Sequence, residues 1–288
     1  MDLAVCGTCG VQYDTQSVSS CRICDDPRQY VPPTGQWWTT LGELRDSARY
    51  KNVFEEDEFD SRVISVQTEP AVAIGQRAFL LCSDAGNVLW DCITYIDDAT
   101  VEHINGLGGI QAIVISHPHY FSTALHWAEA FNCKVYISAE DQEWVMRRGS
   151  AHVFWKDREM SLLDDRFVAV KVAGHFPGSS VLLWRAKRKL FIADSILVVP
   201  SGVYHEDRPT GTASFTFMWS YPNMIPLPPD DVHNIWKAVS KLDFEDAHSA
   251  FATRDARGRA KERMLESAQL YVRAMGYLDH AVHQEVLT

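Results

Sequence analysis

No apolar run in these 288 residues reaches the roughly 18 to 20 needed to span a bilayer, so no membrane-spanning helix is expected. Basic charge is also short. The chain has 27 Lys and Arg against 38 Asp and Glu, a formal net charge of -11. Nucleic acids and anionic membranes both demand a basic footprint, so neither is expected as a partner, and a small-molecule substrate is. The opening stretch MDLAVCGTCG has no basic segment and no long apolar core, so it does not read as a secretory signal. The expected location is therefore cytoplasmic. Short-period repeats and low-complexity tracts are missing as well. A chain of this length can bury a sizeable core without disulfide staples.

Cysteine is sparse except at the start, where four of the seven fall in the first 24 residues. In a reducing compartment, paired cysteines point to metal or redox chemistry rather than disulfides. Cys6-Gly7-Thr8-Cys9-Gly10 and Cys21-Arg22-Ile23-Cys24 are two Cys-x2-Cys knuckles. Each can grip one ion with two sulfurs, and together they complete a tetrahedron. Gly10 suits the tight turn after Cys9. The module resembles a zinc ribbon or a rubredoxin-type knuckle. Zinc would make it structural, and iron would make it an electron-transfer site; zinc is the more frequent occupant. Cys82, Cys92 and Cys133 lie on expected strands and read as inert core residues.

The organisation expected is a four-cysteine module over 1–35, a linker over 36–61 and a main domain over 62–288. The linker holds a short helix at 40–50 and an acidic run, 55–60, that reads as a solvated loop. Strands are expected at 63–68, 71–82 and 88–92, with a hairpin turn at 84–87. Helices at 98–107, 122–131 and 139–146 then alternate with strands at 110–116 and 133–138, the mark of an α/β sheet. A second strand-rich half follows at 167–173, 181–184 and 190–193. Next come a long loop over 199–229, a helix at 230–242, a short strand or turn at 244–251 and a helix at 255–277.

The sharper signal is Ile113-Val114-Ile115-Ser116-His117-Pro118-His119, two histidines at the end of a buried strand. The carboxyl edge of such a strand is where α/β sheets place ligands. His175 follows another strand in Val172-Ala173-Gly174-His175, and Asp194 another in Ile192-Ala193-Asp194. Three imidazoles and a carboxylate suit a catalytic metal with one open position. His126 reads as a packed helical residue. His103, His152, His205, His233, His280 and His283 carry no spacing signal.

These stations resemble the metallo-β-lactamase superfamily, an αββα four-layer sandwich of metal-dependent hydrolases and some oxidoreductases. Val88-Leu89-Trp90-Asp91, His117-Pro118-His119, Gly174-His175, Ala193-Asp194 and the strand near 244 match in order, over about 62–278. The SHPHY form joined to a cysteine ribbon resembles one subgroup. Two departures matter. The family's His-x-His-x-Asp-His would need Asp and His where this chain has Phe121 and Ser122. Its last histidine corresponds at best to His248, without the flanking glycines.

What the resemblance implies is a first metal site intact at His117, His119 and His175, a second site lost, and Asp194 left to bind one ion or orient its water. The ion, zinc or iron, would supply a hydroxide nucleophile. Asp91 either ends its strand or fixes a ligand-bearing loop by hydrogen bonds. Tyr120, Phe121, Trp219, Tyr221 and His248 are candidate pocket residues. The expected function is hydrolysis of a small-molecule ester, thioester, lactone or amide. The alternatives are an iron oxidoreductase using the ribbon as electron port, or a non-catalytic binding protein.

Overall fold

The structure, a computed structural model, describes residues 2–203, 209 and 211–287. His205, which carried no signal, and part of the 199–229 loop lie outside the described residues. Two compact units divide the chain, Met1–Lys156 and Asp157–Thr288.

The first unit is built on a seven-stranded mixed sheet. In spatial order its strands are Lys51–Asp57, Asp60–Glu69, Ala78–Ser83, Gly86–Trp90, Ala112–Val114, Lys134–Ser138 and His152–Trp155. The first three pairings are antiparallel and the last three parallel. The parallel strands at Gly86–Trp90 and Ala112–Val114 are almost wholly buried, as strands covered on both faces must be. Asp98–Gly106 forms a helix because the Asp97 side chain accepts from the Thr100 amide at 2.8 Å, satisfying an orphan N–H of the first turn. Leu41–Asp46 starts on a capping box between Thr40 and Glu43.

The acidic run is not a loop. Lys51–Asp57 pairs antiparallel with Asp60–Glu69, in even register up to Glu56 and with a shift between Glu56 and Asp57; Glu55 stands opposite Ser65 and Glu56 opposite Ile64. Both glutamates are exposed, so the hairpin holds without desolvating a carboxylate. The segment expected as a helix at 139–146 is a 3-10 turn, Ala139–Trp144, without a side-chain cap. Trp144 is instead gripped by Arg22 and Arg28, whose guanidinium carbons stand 4.7 and 5.0 Å from its ring centre.

The second unit carries a six-stranded sheet: Glu159–Leu162, Phe167–Lys171, Ser180–Trp184, Lys189–Phe191, Asp246–His248 and Asp255–Ala256. Only the pairing of Lys189–Phe191 with Asp246–His248 is parallel. One face of this sheet, including Val168, Val170, Leu183, Leu190 and Ala247, packs into an apolar core with the helices Pro229–Val239 and Ala260–Ala274. Val232, Ile235, Trp236 and Val239 recur at helical spacing and are buried in it. Each such side chain contributes about 1.5–3 kcal/mol.

The last helix starts at Ala260, not at 255. Asp255–Ala256 is claimed by strand pairing with Ala247 and His248, and Gly258 and Arg259 take left-handed backbone angles that cannot continue a helix. The expected loop at 199–229 carries short strands: Phe215–Thr216 pairs with Leu197–Val198 just before the loop, and Met218–Ser220 pairs with Ile225–Pro226 within it. Among the described residues no helix is long and apolar enough to cross a membrane.

Candidate metal centres

The two cysteine knuckles converge. Cys6, Cys9, Cys21 and Cys24 are all buried, and their sulfurs lie within 4.8 Å of one another. Cys6 Sγ is 3.5 Å from Cys24 Sγ, and Cys9 Sγ is 3.7 Å from Cys21 Sγ. Four sulfurs about 2.3 Å from one ion stand roughly 3.7 Å apart, so the donor set fits a closed tetrahedral centre. The Cys9 amide and the Gln36 side-chain amide both donate to Cys6 Sγ, at 3.4 and 3.2 Å. Hydrogen bonds from Cys21, Cys24 and Cys9 pull the Cys6 thiol far below its ordinary range, while burial pushes Cys9 well above. A cation bound at this centre would hold all four sulfurs as thiolates.

Gly10 is required at its position. Its φ is +81°, and a Cβ there would stand 2.1 Å from Thr94 Oγ1. That hydroxyl instead donates to the Gly10 carbonyl at 3.2 Å. Two residues on, the Gln12 amide donates to the Ser122 carbonyl at 3.0 Å. The knuckle is thus tied to the segment directly after the first histidine pair.

That pair is set by two adjacent parallel strands ending at one edge. Ala112–Val114 leads into Ser116 and His117, and Gly86–Trp90 leads into Asp91. Asp91, buried and at φ +64°, turns its carboxylate onto the Ser116 amide, which donates to Oδ1 at 2.7 Å. Ser116 Oγ in turn bonds His117 Nδ1 at 2.8 Å, leaving Nε2 to face outward from the strand. A 3-10 turn, Pro118–Tyr120, then brings His119 beside His117, with ring centres 5.1 Å apart. Gln76 Nε2 donates to the His119 carbonyl at 2.9 Å. Both histidines are buried.

The second unit brings His175 and Asp194 together, with Nε2 and Oδ2 3.7 Å apart. That is too long for a hydrogen bond and close to the separation of two ligands about 2.0–2.1 Å from a shared ion. His175 Nδ1 donates to the Trp219 carbonyl at 2.8 Å, which fixes the tautomer with its lone pair on Nε2. Ser195 Oγ donates to the Ala173 carbonyl and accepts from the His175 amide at 3.1 Å, locking the two ligand loops together. Gly174 permits that turn, at φ +87°.

The remaining predicted residues stand in varied places. Tyr120 is buried, its hydroxyl donating to the Arg77 carbonyl at 3.1 Å and its ring edge-on to His117 at 5.5 Å. Phe121 closes the 3-10 turn and lines a small internal cavity with Gln12, Arg147 and His152. Trp219 and Tyr221 contact His175 and Asp194: the Trp219 carbonyl accepts from His175 Nδ1, and the Tyr221 hydroxyl donates to the Asp194 carbonyl at 3.0 Å. Desolvation and the Asp194 carboxylate keep that phenol well above its ordinary pKa, so it stays a donor. His248 is completely buried and stacked on Phe191, with ring centres 4.9 Å apart.

Sequence reasoning missed Ser116, Ser195 and Gln76. The first two sit directly beside His117 and Asp194, and that adjacency was the only signal.

The sequence model of the metallo-beta-lactamase superfamily matches residues 73–245. The chain belongs to that superfamily. Its two mixed sheets with helices are those of the family's α/β fold, preceded here by the cysteine cluster. An uncharacterized protein of Bacillus subtilis strain 168, YmaE, is 40% identical over 282 residues, 96% of this chain and 97% of that one. Among solved structures, VMB-1 aligns with a TM-score of 0.57 at 11% identity, covering 78% of this chain and 99% of that one. The mono-zinc form of FIM-1 from Pseudomonas aeruginosa aligns with a TM-score of 0.52 at 16% identity, covering 77% and 96%. A peroxy diiron species of the chemotaxis sensor ODP aligns with a TM-score of 0.50 at 17% identity, covering 78% and 99%.

Proposed function

We propose that the chain is a metal-dependent hydrolase whose ion is bound by His117, His119, His175 and Asp194. The observation that carries the reading is the donor chemistry of the two pairs. Three buried imidazoles, two with Nδ1 already engaged, present Nε2, and a carboxylate lies beside one of them. The family match over 73–245 includes all four residues. A divalent ion bound there supplies a hydroxide nucleophile near neutral pH and polarises a substrate carbonyl.

The chain's own residues do the rest. Asp194, partly exposed, is placed to take up the water's proton. Tyr221 and Ser195 restrain Asp194 and His175 through backbone atoms, so neither ligand loop needs to reorganise when substrate enters. Ester, thioester, lactone and amide bonds suit this chemistry. Phosphodiesters suit it less, because they favour two metals and a basic groove, and the net charge is -11.

For the cysteine cluster we infer zinc in a structural role, since sulfurs this buried offer a poor route for electrons. For the histidine centre zinc is the reading, and iron, as in the diiron ODP neighbour, is the competitor. The test is turnover of a panel of the four bond classes by protein loaded with zinc or iron. Asp194→Asn should lower kcat about 10²–10⁴-fold on the active class. Turnover unchanged in His175→Ala would overturn the assignment. Activity with iron alone, and a coloured protein, would favour the oxidoreductase.

A further inference from the structure

A second charged cluster lies on the sheet of the second unit, on the face opposite its apolar core. Strand register places Lys189 opposite Asp246, Phe191 opposite His248, and His248 opposite Asp255. Leu190, Ala247 and Ala256, which alternate with them, are buried in the core. Arg257 reaches back over this polar ladder. Its Nη1 is 3.3 Å from His248 Nε2, its Nη2 donates to Asp255 Oδ2 at 3.1 Å, and Nη1 stands 3.9 Å from Asp246 Oδ2. Lys189 Nζ holds the same Asp246 oxygen at 2.8 Å.

We propose that Arg257 is the resident cation of a donor cluster formed by His248, Asp255 and Asp246, and that its guanidinium keeps a metal ion out of that cluster. The charges argue for it. Within the second unit, Asp246 and Asp255 face one ammonium and one guanidinium around an uncharged imidazole. Burial favours that uncharged imidazole, holding His248 below its ordinary pKa. Its Nε2 lone pair then meets the guanidinium, which cannot give up its proton. Remove the guanidinium, and an imidazole nitrogen and a carboxylate oxygen share a vacated space with one uncompensated negative charge. That is the demand of a divalent cation.

The family resemblance gave His248 a place as the last ligand of a second ion. The residues present do not fit that ion, because Arg257 sits on Nε2 of this imidazole and brings a fixed positive charge to it.

Cobalt(II) titration of the full chain, read by metal content and visible absorption, tests this. Arg257→Ala should bind one more cobalt per chain than wild type. The double variant Arg257→Ala/His248→Ala should lose that gain, and Arg257→Lys should not acquire it. The count is a difference between variants, so it stands whether or not His117 and His175 share an ion. A folded Arg257→Ala with the wild-type cobalt count would overturn the proposal. If Arg257→Ala does not fold, Arg257→Gln takes its place under the same criterion. Loss of a metal ion from the otherwise wild-type chain on His248→Ala would overturn it independently.

Discussion

Asp91 gives the most quantitative test of how the first histidine pair is held. Its carboxylate is buried and accepts from the Ser116 amide at 2.7 Å, and Ser116 holds His117 Nδ1 at 2.8 Å. Asp91→Ala removes a charged acceptor and leaves a buried amide unsatisfied. The loss of a hydrogen bond to a charged group costs about 1.5–3 kcal/mol. The backbone adds to this, because φ at Asp91 is +64°, where Ala has no local side-chain compensation, and the left-handed penalty is about 1–2 kcal/mol. Asp tolerates that region better, so only part of the penalty is new. The expected total is about 2–4 kcal/mol. Asp91→Asn keeps both an acceptor oxygen and a tolerance of the left-handed region, and should cost about half as much or less. Chemical denaturation of the metal-depleted chain reads both values. Metal titration of the folded variants should show weaker binding for Asp91→Ala, because Ser116 no longer fixes the histidine-bearing loop. Equal stability of the Ala and Asn variants, or an Ala cost below about 0.5 kcal/mol, would refute the claim that Asp91 organises this loop.

Three further outcomes are expected. Gly174→Ala should destabilise the second unit by roughly 2–4 kcal/mol, because φ is +87° and the new methyl would stand 2.9 Å from Leu227 Cδ1 and 3.1 Å from Ile235 Cδ1; thermal unfolding measures it. Burial, with help from Arg147 and Arg148, lowers His152 from 6.5 to about 4, so the unfolded chain binds its proton first as pH falls. The stability this residue contributes is present above pH 6.5 and lost as pH drops toward about 4; His152→Gln should flatten that part of the stability profile, and a native His152 titrating near 6.5 by NMR would contradict it. Cys21→Ser/Cys24→Ser should lower stability and loosen the Ala139–Trp144 segment, which Arg22 and Arg28 grip from the second knuckle; faster hydrogen exchange over 139–144 is the readout.

Local patterns were the legible ones. The knuckle spacing specified the sulfur cluster, because four ligands within 24 residues leave little for tertiary structure to decide. His117 and His119 were legible for the same reason: a buried apolar strand ends directly before them. The Asp97 cap is local too, made within the first turn of its helix. The 51–69 hairpin was hidden, because four acidic residues in a row, 55–58, look like loop although Glu55 and Glu56 project to solvent from a strand. The 139–146 segment has helical residues, but contact of Trp144 with two arginines over a hundred positions away decided its form. Trp219 and Tyr221 read as pocket aromatics, yet they act through a carbonyl and through a hydroxyl on a backbone oxygen, and no side-chain pattern records a backbone partner. Arg257 lies in a charged stretch, 254–263, with no local signal of a buried partner. Strand pairing of Asp255–Ala256 turned it inward onto His248 instead.

Metal content per chain tests the central claim most directly. Wild-type protein purified in zinc should carry two equivalents, one in the sulfur cluster and one in the histidine centre. Cys6→Ser/Cys9→Ser and His117→Ala/His175→Ala should each carry one. A wild-type chain with a single equivalent that survives the histidine substitutions and disappears with the cysteines would contradict the account.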